Sequence, residues 1–362
     1  MPHIAGLRGA LPDASGAVVR DPSRAVYRYH QVFARDGRTF VRKTLVAAVK
    51  LAPYADGTIR PHLATTAAAR EAELAKIRAT RTHAAMVFAG YRDAALEVDR
   101  QFRKLEDGKP TSETVTADGT THRLWRVQSA EILGALRHLF APKKLHLLDG
   151  HARYEAMLAY SEELDAKQPL AMYSSGKYGL FALVNLDDPT LVVAPRHRLV
   201  RGLTAKPAEV LAAAKPAFIV EKVSRDPAKL ALALGDSVAH QPAFAIAFRG
   251  EPDAWKLTLS PDVSITGEGI AVHRALQKLD PIVVDRFFAP RCLTGATLTS
   301  TLDLAAAVAS DADAAIATRA VPLDQILHTD ELGQLLPEDS TAFAPALADV
   351  VSFAIDPDED LV

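Results

Sequence analysis

The sequence predicts a mixed α/β chain, α/β (α+β), built as two domains, and three features carry that expectation. The chain has 362 residues, more than one typical domain and fewer than three. The first half holds two hairpin signals, each an Asp-Gly pair between β-type runs. It also holds "LHLLDGHARYEAML" (145–158), an apolar run that passes through Asp-Gly straight into a helical pattern.

The elements follow in order. "AVYRYHQVF" (25–33) alternates apolar and polar residues with the period of a half-buried strand, and "FVRKTLVAAVKL" (40–51) reads as its hairpin partner across "ARDGRT". "YADGTIRPHLAT" (54–65) is a loop. Residues 66–79 are rich in Ala, Glu, Leu, Lys and Arg and read as a helix capped by Thr65 or Thr66. "AAMVFAGY" (84–91) reads as a buried strand and "LEVDRQFRKL" (96–105) as a helix. A second hairpin spans "TSETVTADGTTHRLWRV" (111–127). "SAEILGALRHLF" is a helix capped by Ser129, "KKLHLLDG" a strand, and "RYEAMLAYSEELDAK" a helix of about four turns. The second part opens near Gln168 with a strand, a turn at Asp187-Asp188-Pro189 and a further strand. Helix, strand, helix and hairpin follow in 206–260. The Ala-rich "LTSTLDLAAAVASDADAAIATRA" (298–320) reads as helices, and the acidic tail "DPDEDLV" as frayed. The domains expected are 1–166 and 167–362.

Composition narrows the function. Hydrophobic residues make up 49% and charged residues 24%, which suits a water-soluble chain with a real core. Lys and Arg number 42 against 44 Asp and Glu, a net charge of −2, which argues against a general polyanion binder. The single cysteine, Cys292, makes neither an internal disulfide nor a thiolate zinc cage and reads as an idle thiol. No basic leader precedes an apolar stretch and cleavage site, and no run reaches the roughly 18 apolar residues of a membrane span, so the expected location is the cytoplasm.

The DGHARY stretch admits two readings. If the strand ends at Leu148 and the helix begins near Arg153, then 149–152 form a turn facing amides that have no intrahelical partner. Those amides carry the positive end of the helix dipole, so the turn can seat an anion. Gly150 lets the backbone bend and a ligand approach, and His151 and Arg153 add donors. Asp149 can hold a metal or take a proton from a hydroxyl. The other reading is an ordinary turn, with Asp149 as a cap and His151 and Arg153 solvated. Residue pattern alone leaves both open.

Several segments together resemble an uncharacterised family, domain of unknown function 1015. DGHARYE resembles its D-G-H-H-R-Y-E motif. "RDPSRAVYRYHQVF" with "DGRTFVRKTLVAAVKL" resembles its Y-x-Y-x-Q-x-F hairpin, and "YADGTIRPH" its G-x-I-x-P-H-E-x-T loop. "HRLWRV", "LVVAPRHRLV" and "LPEDSTAFAPAL" resemble its H-x-L-W, P-T-H-R and M-P-x-K-S-T-Y-F-x-P segments. In that order they cover most of the chain. The family's N-terminal half is similar to the ParB/sulfiredoxin fold, whose G-x-x-R-x-x-A turn binds nucleotide phosphates; Gly150, Arg153 and Ala156 match it here. The resemblance therefore implies a ParB/sulfiredoxin-like mixed-sheet N-terminal domain followed by an α+β C-terminal domain. It implies Gly150, His151, Arg153 and Thr65 as the phosphate or nucleotide contacts, with Asp149 and His62 as the catalytic candidates. The ligands it implies are ATP or ADP, or CTP, with Mg²⁺. By similarity to free serine kinases it also implies phosphoryl transfer to a small hydroxyl metabolite. Neither nucleic acid nor membrane is an expected partner.

The departures lie at polar positions. Ala152 replaces the second His of the motif, and Leu63 replaces the Glu of the P-H-E-x-T loop, the family's best general-base candidate. Arg70 stands for a usual Lys, Ala72 and Glu73 for a usual Asp-Arg pair, and Asp339 for a Lys. The alternative reading is thus a regulator or scaffold that binds nucleotide or metabolite without catalysis. His62 divides evenly between facing the phosphate site and holding its loop. Arg198 reads as a sheet-edge residue ahead of a ligand contact. Ser174-Ser175-Gly176-Lys177 lacks the full phosphate-loop spacing and reads as a turn. None of His83, His122, His146, His197 and His273 has zinc-ligand spacing, and no G-x-S-x-G elbow occurs.

Overall fold

The first hairpin sets the architecture. In the computed structural model, which describes residues 1–12, 17–35, 37–235 and 241–362, β1 (Val26–Arg35) and β2 (Arg38–Lys50) pair antiparallel from Tyr27↔Val46 to Arg35↔Arg38. Asp36 of the Asp-Gly turn and Asp236 at the end of "DPAKLALALGD" lie outside the described residues. The chain forms two units, 1–192 with 343–362, and 193–342.

The first unit is built on one large mixed sheet. Its other principal strands are β3 (Ile59–Arg60), β4 (Val87–Tyr91), β5 (Ser112–Val115), β6 (Thr121–Val127), β7 (Leu145–Asp149) and β8 (Tyr178–Asn185), in the order β3-β7-β4-β8-β2-β1-β6-β5. β3–β7 and β4–β8 are parallel, and the remaining pairs in that order are antiparallel. Its longer helices are α1 (Ala67–Thr80), α2 (Ala130–Phe140) and α3 (His151–Lys167). Thr66 caps α1 by accepting from Ala69 N, and Ser129 caps α2 by accepting from Ile132 N. The apolar faces of α2 and α3 bury Leu136, Phe140, Tyr154, Met157 and Tyr160 with Leu147, Phe181 and Leu183 of the sheet in one core.

Four expectations need correction here. β1 is buried on both faces rather than one. Its polar positions are matched from above by 97–106, which forms two four-residue helices instead of one helix. Glu106 reaches Arg28 at 2.7 Å, His30 at 3.1 Å and Lys43 at 2.5 Å, and these partners hold its carboxyl low against the upward push of burial. Secondly, β8 lies beyond the expected boundary at 166 yet sits between β4 and β2 with all eight residues buried. The first unit thus extends to 192 and takes back the last segment of the chain. Thirdly, the acidic tail is docked. Ser174 and Ser175 donate to the carbonyls of Pro357 and Asp356 at 2.6 Å each, Glu359 pairs with Arg20 at 2.7 Å, and Leu361 is buried. The Ser-Ser-Gly-Lys turn therefore anchors the C-terminus. Fourthly, β7 runs through Asp149 and α3 begins at His151, so the connecting turn is Gly150 alone.

The second unit is α+β around a fully antiparallel sheet. β9 (His197–Arg201), β10 (Phe218–Ser224), β11 (Ala243–Phe248), β12 (Asp253–Leu259), β13 (Thr297–Thr301) and β14 (Ala314–Ala317) lie in the order β10-β12-β11-β14-β9-β13. The Ala-rich stretch expected as helices is β13, a six-residue helix (Leu304–Ala309) and β14. Helix propensity of alanine yields there to the sheet, where small side chains suit β14, buried at all four positions. Arg198 is an interior-strand residue, buried and paired with Asp285 at 2.8 Å and 3.1 Å. Cys292 is buried, and burial pushes its thiol up to about 11.

One buried cation ties the returning tail to the sheet. Arg42 is fully buried, lies over the Phe88 ring at 5.0 Å and donates to Gln31 and to the carbonyls of Ala344 and Pro345. Burial lowers its pKa to about 10. Arg42→Met keeps the apolar stem and leaves those acceptors without a donor. We predict a loss of about 2–4 kcal/mol in urea unfolding; a change below about 0.5 kcal/mol would show that the tail is held by other contacts.

Candidate functional site

The junction of β7 and α3 is made by a bulge and a glycine. The register of β7 against β4 shifts between Leu147 and Asp149, a bulge after which Asp149 still pairs with Phe88. Gly150 then takes φ 81°, ψ 29°, the left-handed region that favours glycine. A side chain there would also meet Arg153 Nη1 at 3.3 Å and the backbone of Val87 at 3.5 Å. The helix starts immediately. Among the described residues no side chain caps it, and the amides of His151, Ala152 and Arg153 have no acceptor. Asp149, exposed, turns its Oδ1 back onto Gly150 N at 2.7 Å. These three amides carry the positive end of a 17-residue helix behind them.

Two histidines support the turn from below. His62 is fully buried and donates from Nδ1 to Leu147 O at 2.8 Å. His151, also buried, accepts at Nε2 from the backbone amides of His62 and Leu63 at 3.3 Å and 3.4 Å. Accepting at Nε2 places the neutral ring's proton on Nδ1. The rings meet edge to face at 4.7 Å. Burial pushes His62 down to about 4; burial, then the neighbouring His62, pushes His151 well below its ordinary value. Both are neutral at pH 7. They fix the Pro61–Leu63 loop against the turn and bring no positive charge to it.

The other candidates lie around this core. Arg153 is part-exposed and donates from Nη1 to Met86 O at 2.6 Å and from Nε to Glu73 Oε2 at 3.3 Å. Thr65 donates to Glu155 at 2.7 Å, linking the start of α1 to α3. Tyr154 packs on Tyr54 at 5.3 Å and donates to Ala52 O. Asp149, Gly150, His151, Arg153 and His62 thus gather at one junction, whereas Thr65 is one step removed through Glu155. Sequence reasoning did not anticipate Glu73 and Asp349 beside Arg153. For Glu73, burial pushes up while Lys76 and Arg153 outweigh it and hold the carboxyl low. Asp349 is raised by burial, with Arg153 opposing and Glu73 adding. Glu73, in place of a usual Arg, was the one available signal.

The model of a family described as "Protein of unknown function (DUF1015)" matches residues 13–280. Curated proteins give no match. Solved structures give distant similarities. One is SbnI with C-terminal truncation from Staphylococcus aureus, at 11% identity and TM-score 0.43, covering 87% of this chain and 90% of that one. Free serine kinase in complex with AMP has 11% identity and TM-score 0.37, covering 83% and 87%. A conserved hypothetical protein from Pyrococcus furiosus has 10% identity and TM-score 0.40, covering 86% and 95%. Among the described residues no helix is long and apolar enough to cross a membrane.

The buried histidines make stability depend on pH. A histidine near 6.5 when unfolded and near 4 when folded binds more protons unfolded between those values. Stability from His62 is therefore complete above pH 6.5 and falls as pH drops towards 4, with a slope of roughly 1 kcal/mol per pH unit. His62→Asn, whose amide can still donate to Leu147 O, should flatten the unfolding free energy in that window. An unchanged slope would contradict burial of a neutral His62.

Proposed function

The chain belongs to the DUF1015 family, and on that premise we propose that it is a nucleotide-binding protein whose phosphate seat is the start of α3. The observation that carries this is the set of amides at His151, Ala152 and Arg153, uncapped behind Gly150 at φ 81°. In this reading the first unit is a ParB/sulfiredoxin-like domain, and the ligand is ADP, ATP or CTP. His62 and His151 act by position, holding the loop and the turn in register. Arg153 stands at the edge of the seat, clamped to the start of β4 through Met86 O.

The residues fit a magnesium–nucleotide as well. Mg²⁺ is held by one or two carboxylates together with phosphate oxygens, and Asp149 offers an exposed carboxylate at the seat. There the ion would neutralise phosphate charge. For transfer to a small hydroxyl metabolite, Asp149 is the carboxylate we assign to accept the hydroxyl proton. A second reading, nucleotide binding without catalysis, is favoured by Leu63. It stands where the resemblance puts a Glu, next to the His151 ring that its amide contacts at 3.4 Å.

Ala152→Asp tests the seat. A carboxylate in the first turn of a helix suits the dipole, so folding is retained while the amides are occupied internally. AMP or ADP affinity measured by calorimetry should fall at least about tenfold, or ~1.4 kcal/mol, with no loss of melting temperature. Equal affinity in the variant would remove α3 from the ligand site. Leu63→Glu separates the two readings: nucleotide-dependent phosphorylation of a panel of small hydroxyl compounds appears in the variant and not in the parent if only the base is missing. Turnover by the parent with the same panel would show that Asp149 suffices.

A further inference from the structure

The guanidinium of Arg153 already has a carboxylate. Glu73 reaches from α1 to Arg153 Nε at 3.3 Å, and its second oxygen is held by Lys76 at 2.7 Å. The ion pair lies against the turn itself, since the position a Cβ would take on Gly150 is 3.3 Å from Arg153 Nη1. Arg153 is only part-exposed, and its Nη1 is spent on Met86 O. The Nε edge is thus the side that Glu73 has taken. A phosphate arriving at the α3 amides meets a neutral pair instead of a free cation, and an ionised carboxylate beside it. Like charge and an engaged donor both work against the ligand.

We propose that Glu73 is a built-in competitor that sets the affinity of the seat by occupying Arg153 in place of a phosphate monoester. The inference rests on the phosphate-seat reading and names what regulates that site. The wild-type chain then binds phosphate mainly through backbone amides. Anything that draws Glu73 away frees the Nε edge of Arg153 for the ligand, while Nη1 stays on Met86 O. Glu73 sits on a well-capped helix and contributes no core packing, so its charge can be removed without rebuilding α1.

The test uses the full-length chain and AMP as the probe, by calorimetry. Glu73→Gln, which keeps the shape and removes the charge, should tighten AMP binding fivefold or more. In an Arg153→Gln background the same substitution should give no tightening. An independent readout needs no Arg153 variant: the Arg153 Nε–H resonance should shift on AMP addition in Glu73→Gln and stay nearly still in the wild type. Unchanged or weaker binding in Glu73→Gln, or tightening that persists without Arg153, overturns the competitor role. If Ala152→Asp abolishes AMP binding while Glu73→Gln leaves it untouched, the seat stands and only the competitor falls. If neither the wild type nor Glu73→Gln binds AMP, the seat and the competitor fall together.

Discussion

A single backbone conformation, that of Gly150, decides how the first unit passes from β7 to α3. At φ 81° it turns the chain from strand to helix in one residue, so α3 begins before any side chain has reached its first amides. Ordinary capping by Ser, Thr, Asp or Asn would have used one of those donors. The preceding residue, Asp149, is turned onto Gly150 N instead. The bulge in β7 aims the strand, and the His62–His151 pair locks the neighbouring loop beneath it. Replace the glycine and the side chain is strained at this positive φ, and its Cβ presses on the guanidinium of Arg153.

Around that turn the charges balance locally. Burial keeps both histidines neutral, so the positive character of the site comes from the helix end and Arg153. Arg153 in turn serves Met86 O and Glu73, which makes it a brace between α1, α3 and β4 as well as a ligand candidate. A guanidinium in this position contributes to folding through both partners, and in the proposed seat it is available to phosphate only as its carboxylate partner yields. The same economy appears at Arg42, where a buried cation holds backbone carbonyls of the returning chain.

Local chemistry made much of the fold legible. The hairpins, the caps at Thr66 and Ser129, and the helices α1 to α3 follow from turn residues, alternation and propensity, all of which act within a few residues. What sequence did not disclose depends on distant partners. β1 alternates like a half-buried strand, but Glu106, far along the chain, covers its polar face. The tail is acidic and reads as frayed until Arg20 and the Ser174–Ser175 turn are brought to it. "LAAAVASDADAAIA" has a helical composition but pairs in part as a strand, because a sheet neighbour overrides a weak local preference. The site divides the same way. Gly150 and its helix were readable from DGHARY, whereas the engagement of Arg153 by Glu73, 80 positions apart, required the packing of α1 on α3.

The backbone amides opening α3 are the proposed seat for phosphate. The most direct measurement is an amide ¹H–¹⁵N titration of the full-length chain with AMP. If phosphate sits there, His151, Ala152 and Arg153 show the largest, saturable shifts, downfield as hydrogen bonds to phosphate form. Saturable shifts centred elsewhere, with these three amides unmoved, would contradict it.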